Sequence, residues 1–304
     1  RVYLANNTTL TLGITFKDSG SNVLGTFSLP WTGNGQEMQD TGFDWSSNVA
    51  SVEITGDYLP VRVHIGNKIL VDTGTSVPNV PSIASTVRAN PSAGFSIVSW
   101  TGTANATVGH GLNAAPQLVI TKSRQHGVAW RIWSAYLSSP ADRYLAFDTG
   151  AEATFSAYWG SMTSTTLGFP SVLDNNYGDM IAYCFAPVAG YSAMGSYEGL
   201  GTAGGAFVYL GFRPALLIVK DADGTWDWYM YDTARNTYNV VNNVLRPSGS
   251  NVEEGSATNN TFDFLSNGFK VRGATSQSEP TNYSGHTYIY YAVSEHPFKT
   301  ARAR

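Results

Sequence analysis

The 304 residues carry 18 Lys and Arg against 22 Asp and Glu, a net charge of −4 with no basic stripe, which removes the electrostatic footprint of a nucleic-acid partner. Charged residues make up only 13% and aromatic residues another 13%, so hydroxyls, amides and rings must cover much of the surface, while 42% apolar content can fill real cores. The lone cysteine, Cys184 in the run MIAYCFA, excludes an internal disulfide, and no apolar run reaches the about 18 residues of a spanning helix.

Such a cysteine reads as a buried thiol, suited to a reducing compartment or to a fold that needs no staples. The chain opens on Arg1 rather than Met, from which a processed product or a piece of a larger protein is expected. In chain order, Val61 to Ile65 and Lys68 to Val71 alternate in period two around Gly66-Asn67, the signal of a tight hairpin. Asp72-Thr73-Gly74 ends that hairpin. Pro78, Asn79, Pro81, Ser82 and Pro91 then punctuate a connector.

Further strand-type runs are predicted at Ser96 to Trp100, Leu118 to Thr121, Trp130 to Trp133, Phe207 to Leu210, Leu216 to Val219, Trp228 to Tyr231 and Thr287 to Val293. Helical periodicity is absent except for a weak turn or two within Asn236 to Leu245, so the expected class is all-β. The expected layout is an N-terminal β domain at 1–74, a connector at 75–93, and two β-sandwich-like repeats at 94–189 and 190–304.

The repeats rest on an ungapped match. PQLVITKSRQHGVAWRIW from Pro116 lies over PALLIVKDADGTWDWYMY from Pro214, an offset of 98. Lys122 then faces Lys220, and Trp130 to Trp133 face Trp228 to Tyr231. Gapped flanks agree: GFSIVSWTG with GYSAMGSYEG, and MIAYCFAP with YIYYAVSEHP. A period near a hundred residues is a whole small β domain rather than a solenoid turn. Aromatics at matched positions, Trp130, Trp133, Trp228 and Tyr231, are expected in the cores.

The duplication disarms several catalytic motifs. A two-lobed aspartic protease needs one Asp-Thr-Gly at equivalent points of two lobes, so that two carboxylates share a proton. Asp72 lies before the repeats, Asp148 inside the first, and the stretch of the second repeat matching Asp148 has no such motif. Both motifs read as turns. Gly199 to Gly204, GLGTAG, fits the dinucleotide spacing, but a β-type run ending in proline follows it where a phosphate-binding helix belongs.

The five histidines show no metal-ligand spacing. Ser192 misses the nucleophile-elbow pattern by one residue. DADGTWD places Asp221, Asp223 and Asp227 at the spacing of a calcium loop, in the second repeat alone, because the first has Ser123, Gln125 and Ala129 there. No other cofactor is expected.

The stretches VRANPSAGFSIVSWTGT, VGHGLNAAPQLVITKSR, MIAYCFAPVAGYSAMGSYEG, GGAFVYLGFRPALLIVK, DFLSNGFKVR and YIYYAVSEHPFKTARAR together resemble the C-terminal repeat region of tail-fibre-like structural proteins of tailed bacteriophages, common among marine phages. The resemblance covers about residues 85 to 304. It departs near the end, where Ala292 to Pro297 replace an Ala-Phe-Ala-Glu-Asn-Pro run.

The resemblance implies a non-enzymatic virion component, a tail fibre or adhesin assembled in the host cytoplasm. Its expected partners are other virion proteins and a host-surface glycan or receptor. A homotrimer is expected by analogy, with neither nucleic-acid partner nor membrane insertion. A purely architectural subunit and a glycan-degrading tailspike are the alternatives. Trp226, Asp221, Asp223, Tyr283 and His286 are the receptor candidates, because they fall in predicted loops of the second repeat.

Overall fold

The computed structural model describes residues 81–296 apart from 149, 174, 256–260 and 274–279, and ahead of residue 81 only seven strands. Those are β1 (Val2–Ala5), β2 (Leu10–Lys17), β3 (Val23–Trp31), β4 (Gln36–Gln39), β5 (Ser51–Thr55), β6 (Arg62–Ile65) and β7 (Lys68–Ile69). β6 and β7 pair antiparallel with His64 opposite Ile69 and Ile65 opposite Lys68, the expected hairpin. Asp72-Thr73-Gly74 lies outside the described residues.

The next strands are β8 (Ser85–Asn90), β9 (Phe95–Thr101), β10 (Ala106–Gly109), β11 (Leu118–Ser123), β12 (Arg131–Ser134), β13 (Arg143–Ala146), β14 (Ala153–Thr154), β15 (Thr166–Phe169) and β16 (Asp179–Phe185). The last group is β17 (Ser192–Glu198), β18 (Phe207–Tyr209), β19 (Pro214–Asp221), β20 (Trp228–Asp232), β21 (Thr261–Leu265), β22 (Gly268–Arg272) and β23 (Thr287–Ser294). The fold is all-β. Among the described residues the helical structure is a single 3-10 turn, Pro91–Ala93, and Asn236 to Leu245 is irregular.

In the first repeat β12-β11-β16-β9 run side by side in one antiparallel sheet, opposed by β10-β15. In the second, β20-β19-β23-β17 run in the same order, opposed by β18-β22-β21. The four strands of each large sheet sit where their sequence matches sit, as expected where the same apolar/polar alternation is copied in both. β8, in the stretch expected as connector, joins the first sheet beside β9 and buries Val87. Gly94 closes the 3-10 turn between them at φ +62°, and a Cβ there would come 2.1 Å from the Ala186 carbonyl oxygen.

Strand alternation sorts side chains into three apolar layers. Val98, Val119 and Phe169 fill the first sandwich; Leu217, Phe262 and Phe269 fill the second. The outward positions Leu118, Ile132 and Leu145 of the first repeat meet Met194, Trp228 and Ile289 of the second in a third layer. The two large sheets therefore pack against each other, and the repeats form a four-layer stack. Each large apolar side chain buried in that layer contributes about 1.5–3 kcal/mol.

Candidate functional site

The five receptor candidates converge on one end of the second sandwich. Asp221 is the last residue of β19, and alternation turns its carboxylate inward with Leu217 and Val219, leaving it 0% exposed. A buried carboxylate must be hydrogen-bonded, and this one is. Oδ1 accepts from the backbone N–H groups of Asp223 at 3.0 Å and Gly224 at 2.9 Å. Oδ2 lies 2.9 Å from Nδ1 of His286.

Asp223 then clamps the neighbouring strand, its Oδ2 accepting from the Thr287 N–H at 2.7 Å. The Tyr283 ring sits 4.2 Å from the His286 imidazole, centroid to centroid. Below them Tyr288 and Tyr197 stack at 4.9 Å. Burial, and secondarily Asp221, pushes the Tyr288 phenol well above its ordinary range. Tyr288 Oη accepts from the Tyr283 N–H at 2.8 Å, which ties the 283–287 loop to the core.

Trp226 enters through its backbone: its carbonyl, with that of Gly224, accepts from Lys220 Nζ at 2.7 and 3.2 Å. Lys220 is fully buried on the face of β19 turned toward the first repeat. Desolvation pushes its ammonium down to about 8, opposed by the nearby Asp221, Asp148 and Asp227 carboxylates.

Asp227 points elsewhere, accepting from Ser248 Oγ at 2.8 Å and pairing with Arg246 at 3.4 Å. The three carboxylates of DADGTWD thus diverge. Among the described residues no three His, Cys, Asp or Glu side chains come together as a metal-ion group.

Asp221, Asp223, Tyr283 and His286 form one cluster, whose hydrogen bonds bind the 221–227 loop to the 283–287 loop. The His286 side chain is 26% exposed, and with Nδ1 fixed by Asp221 its other ring nitrogen can donate or accept one hydrogen bond. Among the described residues the ring's hydrogen-bond partner is the Asp221 carboxylate, which orients the imidazole.

The first repeat builds the same corner with other side chains. Ser123 replaces Asp221, accepting from the His126 N–H at 3.1 Å and donating to the Tyr177 carbonyl at 2.8 Å. Lys122 donates to the carbonyls of His126 and Val128, as Lys220 does in its own loop. Two residues missed by sequence reasoning recur here. Asn176 and Asn282, both fully buried, donate to the Thr103 and Thr202 carbonyls at 2.8 Å each. The Asn-Tyr pairs at 176–177 and 282–283 are the signal that could have found them.

Also missed is a polar cleft on the first repeat, about 310 Å³, bordered by Thr86, Ser99, Thr101, Arg124 and Asp179. Asp179 accepts from Thr101 Oγ1 at 3.1 Å and from Gln125 Nε2 at 2.8 Å.

The remaining motifs have structural roles. The Asp148 carboxylate accepts from the Gly150 N–H at 2.8 Å, a local turn. Gly199 to Gly204 form a loop leading into β18 rather than a helix. Cys184 is buried in the first core, where desolvation holds its thiol well above the usual range.

No curated protein and no solved structure matches the chain. A family profile described as Domain of unknown function (DUF7483) matches residues 33–297. That match spans most of the chain, including both sandwiches and their shared layer, and the protein belongs to the DUF7483 family.

Proposed function

We propose that the protein is a non-enzymatic structural component of a phage virion, of tail-fibre or adhesin type, whose β repeats recognise a host-surface glycan. The observation that carries this reading is the stack itself. Two sandwiches of one strand order pack through part of the first repeat's large sheet, and the rest of that face, among the described residues, bears exposed or half-buried hydroxyl, amide and aromatic groups. Such a surface suits stacking and hydrogen bonding to sugars. The resemblance of residues 85 to 304 to tail-fibre repeat regions supplies the virion context and the expected trimer.

Competition tests the reading. The purified full chain, added in excess to bacteria before phage carrying this protein, should reduce adsorption, and particles lacking residues 94–304 should adsorb poorly. Undiminished adsorption in the presence of saturating free protein rejects the receptor role.

A purely architectural subunit is the second reading. It is favoured by the cluster of the second repeat, where Asp221, Asp223 and Tyr283 engage one another's loops rather than open space. Labelling of the chain at the distal tip of the assembled particle separates the adhesin from the architectural subunit, which would be labelled along the shaft or on the capsid.

A further inference from the structure

We infer that the open half of the first repeat's large sheet carries a binding cleft for a neutral saccharide, with Arg124 and Asp179 chelating a pair of adjacent hydroxyls. This rests on the glycan-recognition reading above and assigns the contact to the first repeat, away from the cluster around Asp221.

Strand register places the groups. Arg124 follows β11 and its N–H donates to the Asp179 carbonyl at 2.7 Å, so the two side chains project from the same face of the sheet. Asp179 pairs with Thr101 across β9, and Ser99 pairs with both Ile181 and Thr86. These residues border the cleft of about 310 Å³.

The cleft holds a matched donor and acceptor. Arg124 is exposed, and its guanidinium makes no hydrogen bond or ion pair with any described residue. Asp179 is preset: Thr101 and Gln125 each occupy one lone pair of a different carboxylate oxygen, and each oxygen retains acceptor capacity. A hydroxyl pair satisfies both, accepting from the guanidinium and donating to the carboxylate. A carboxylate or sulfate on the sugar would meet Asp179 with like charge, so the class selected is neutral.

Beyond the cleft's own lining, the same face carries an apolar strip. Ile181 and Tyr183 follow Asp179 at two-residue intervals, which puts Tyr183 about 13 Å along the strand. The Tyr183 ring lies 6.4 Å from Phe95 and 6.2 Å from Trp130, which is 36% exposed. The second repeat has no counterpart. Its matching backbone bond, the Ala222 N–H to the Thr287 carbonyl at 2.9 Å, carries an alanine and a threonine where the first carries Arg124 and Asp179.

The test applies the full chain to a printed array of neutral and acidic bacterial glycans, as wild type, Arg124→Ala, Asp179→Asn and Tyr238→Ala, the last an exposed ring of the second repeat. Wild type should bind neutral glycans, Arg124→Ala and Asp179→Asn should each lose at least about tenfold in half-saturating concentration, and Tyr238→Ala should match wild type. Thermal melts of the two cleft variants should overlay wild type, since Arg124 is exposed and Asn can still accept from Thr101.

Glycan binding retained by both cleft variants, binding to acidic glycans alone, or binding to none overturns the cleft. The adsorption competition is scored independently, so the adhesin reading survives if competition persists while the array result fails. Loss of competition alone rejects the adhesin reading.

Discussion

The turn after β11 and the turn after β19 begin from the same lysine and diverge one residue later. Lys122 is half-buried and Lys220 fully buried, yet both ammonium groups donate to carbonyls of the loop that follows. Ser123 then makes two hydrogen bonds in the first repeat, while Asp221 accepts from two backbone N–H groups and bonds His286 and Tyr288 in the second. Trp130 and Trp228 diverge in the same way. Trp228 lies in the layer between the repeats and donates Nε1 to the Ala146 carbonyl at 2.7 Å, while Trp130 is 36% exposed and meets Phe147 edge-on at 6.2 Å. A duplicated sequence keeps its strands and inner cores, and the packing of one copy on the other makes equivalent positions unequal.

The largest test of that inequality is the tryptophan pair. Trp228→Ala should cost about 3–5 kcal/mol in denaturant unfolding, because it opens a cavity in the shared layer and leaves the Ala146 carbonyl without its indole partner. Trp130→Ala should cost about 1 kcal/mol or less. Equal losses would mean that the shared layer does not distinguish the repeats.

Next is the acceptor pair. Asp221→Ala removes the acceptor for two backbone N–H groups and His286, and should cost about 2–4 kcal/mol; Ser123→Ala should cost about 1 kcal/mol. The reverse order in equilibrium unfolding would show that the clamp of the second repeat is incidental to its stability.

The smallest effect is a pH dependence. Lys220 titrates near 8 in the folded chain and at its ordinary value near 10.5 when unfolded. Between those values the unfolded chain binds more protons, so stability rises with pH. Burial raises the phenols of Tyr197, Tyr231 and Tyr288, so the folded chain keeps protons that the unfolded chain loses above about pH 10, which reverses the trend there. Wild type and Lys220→Met share the tyrosine titration, so the stability of wild type relative to that variant should grow by about 1–2 kcal/mol from pH 8 to 9.5. A difference that stays constant with pH would contradict the buried ammonium.

Much of the fold is legible in the residues. The alternating runs at Leu118 to Thr121, Leu216 to Val219 and Thr287 to Val293 are β11, β19 and β23, and the offset of 98 pairs β11 with β19. Neither the grouping of Asp221 and Asp223 with Tyr283 and His286 nor the Arg124–Asp179 cleft was legible, since each depends on strands far apart in sequence, β19 with β23 and β11 with β16, becoming neighbours. Nor was the exposure of Trp130.

Sequence alone determined the β class, the repeated run of strand segments and the turn chemistry, because period-two alternation, Asx and glycine turns and matched aromatics act over a few residues. Only the tertiary structure decided which outward face is covered. Outward positions that meet another sheet and outward positions that meet solvent share one period, and the stacking of the second repeat over half of the first separates Trp228 from Trp130 and leaves Arg124 and Asp179 open.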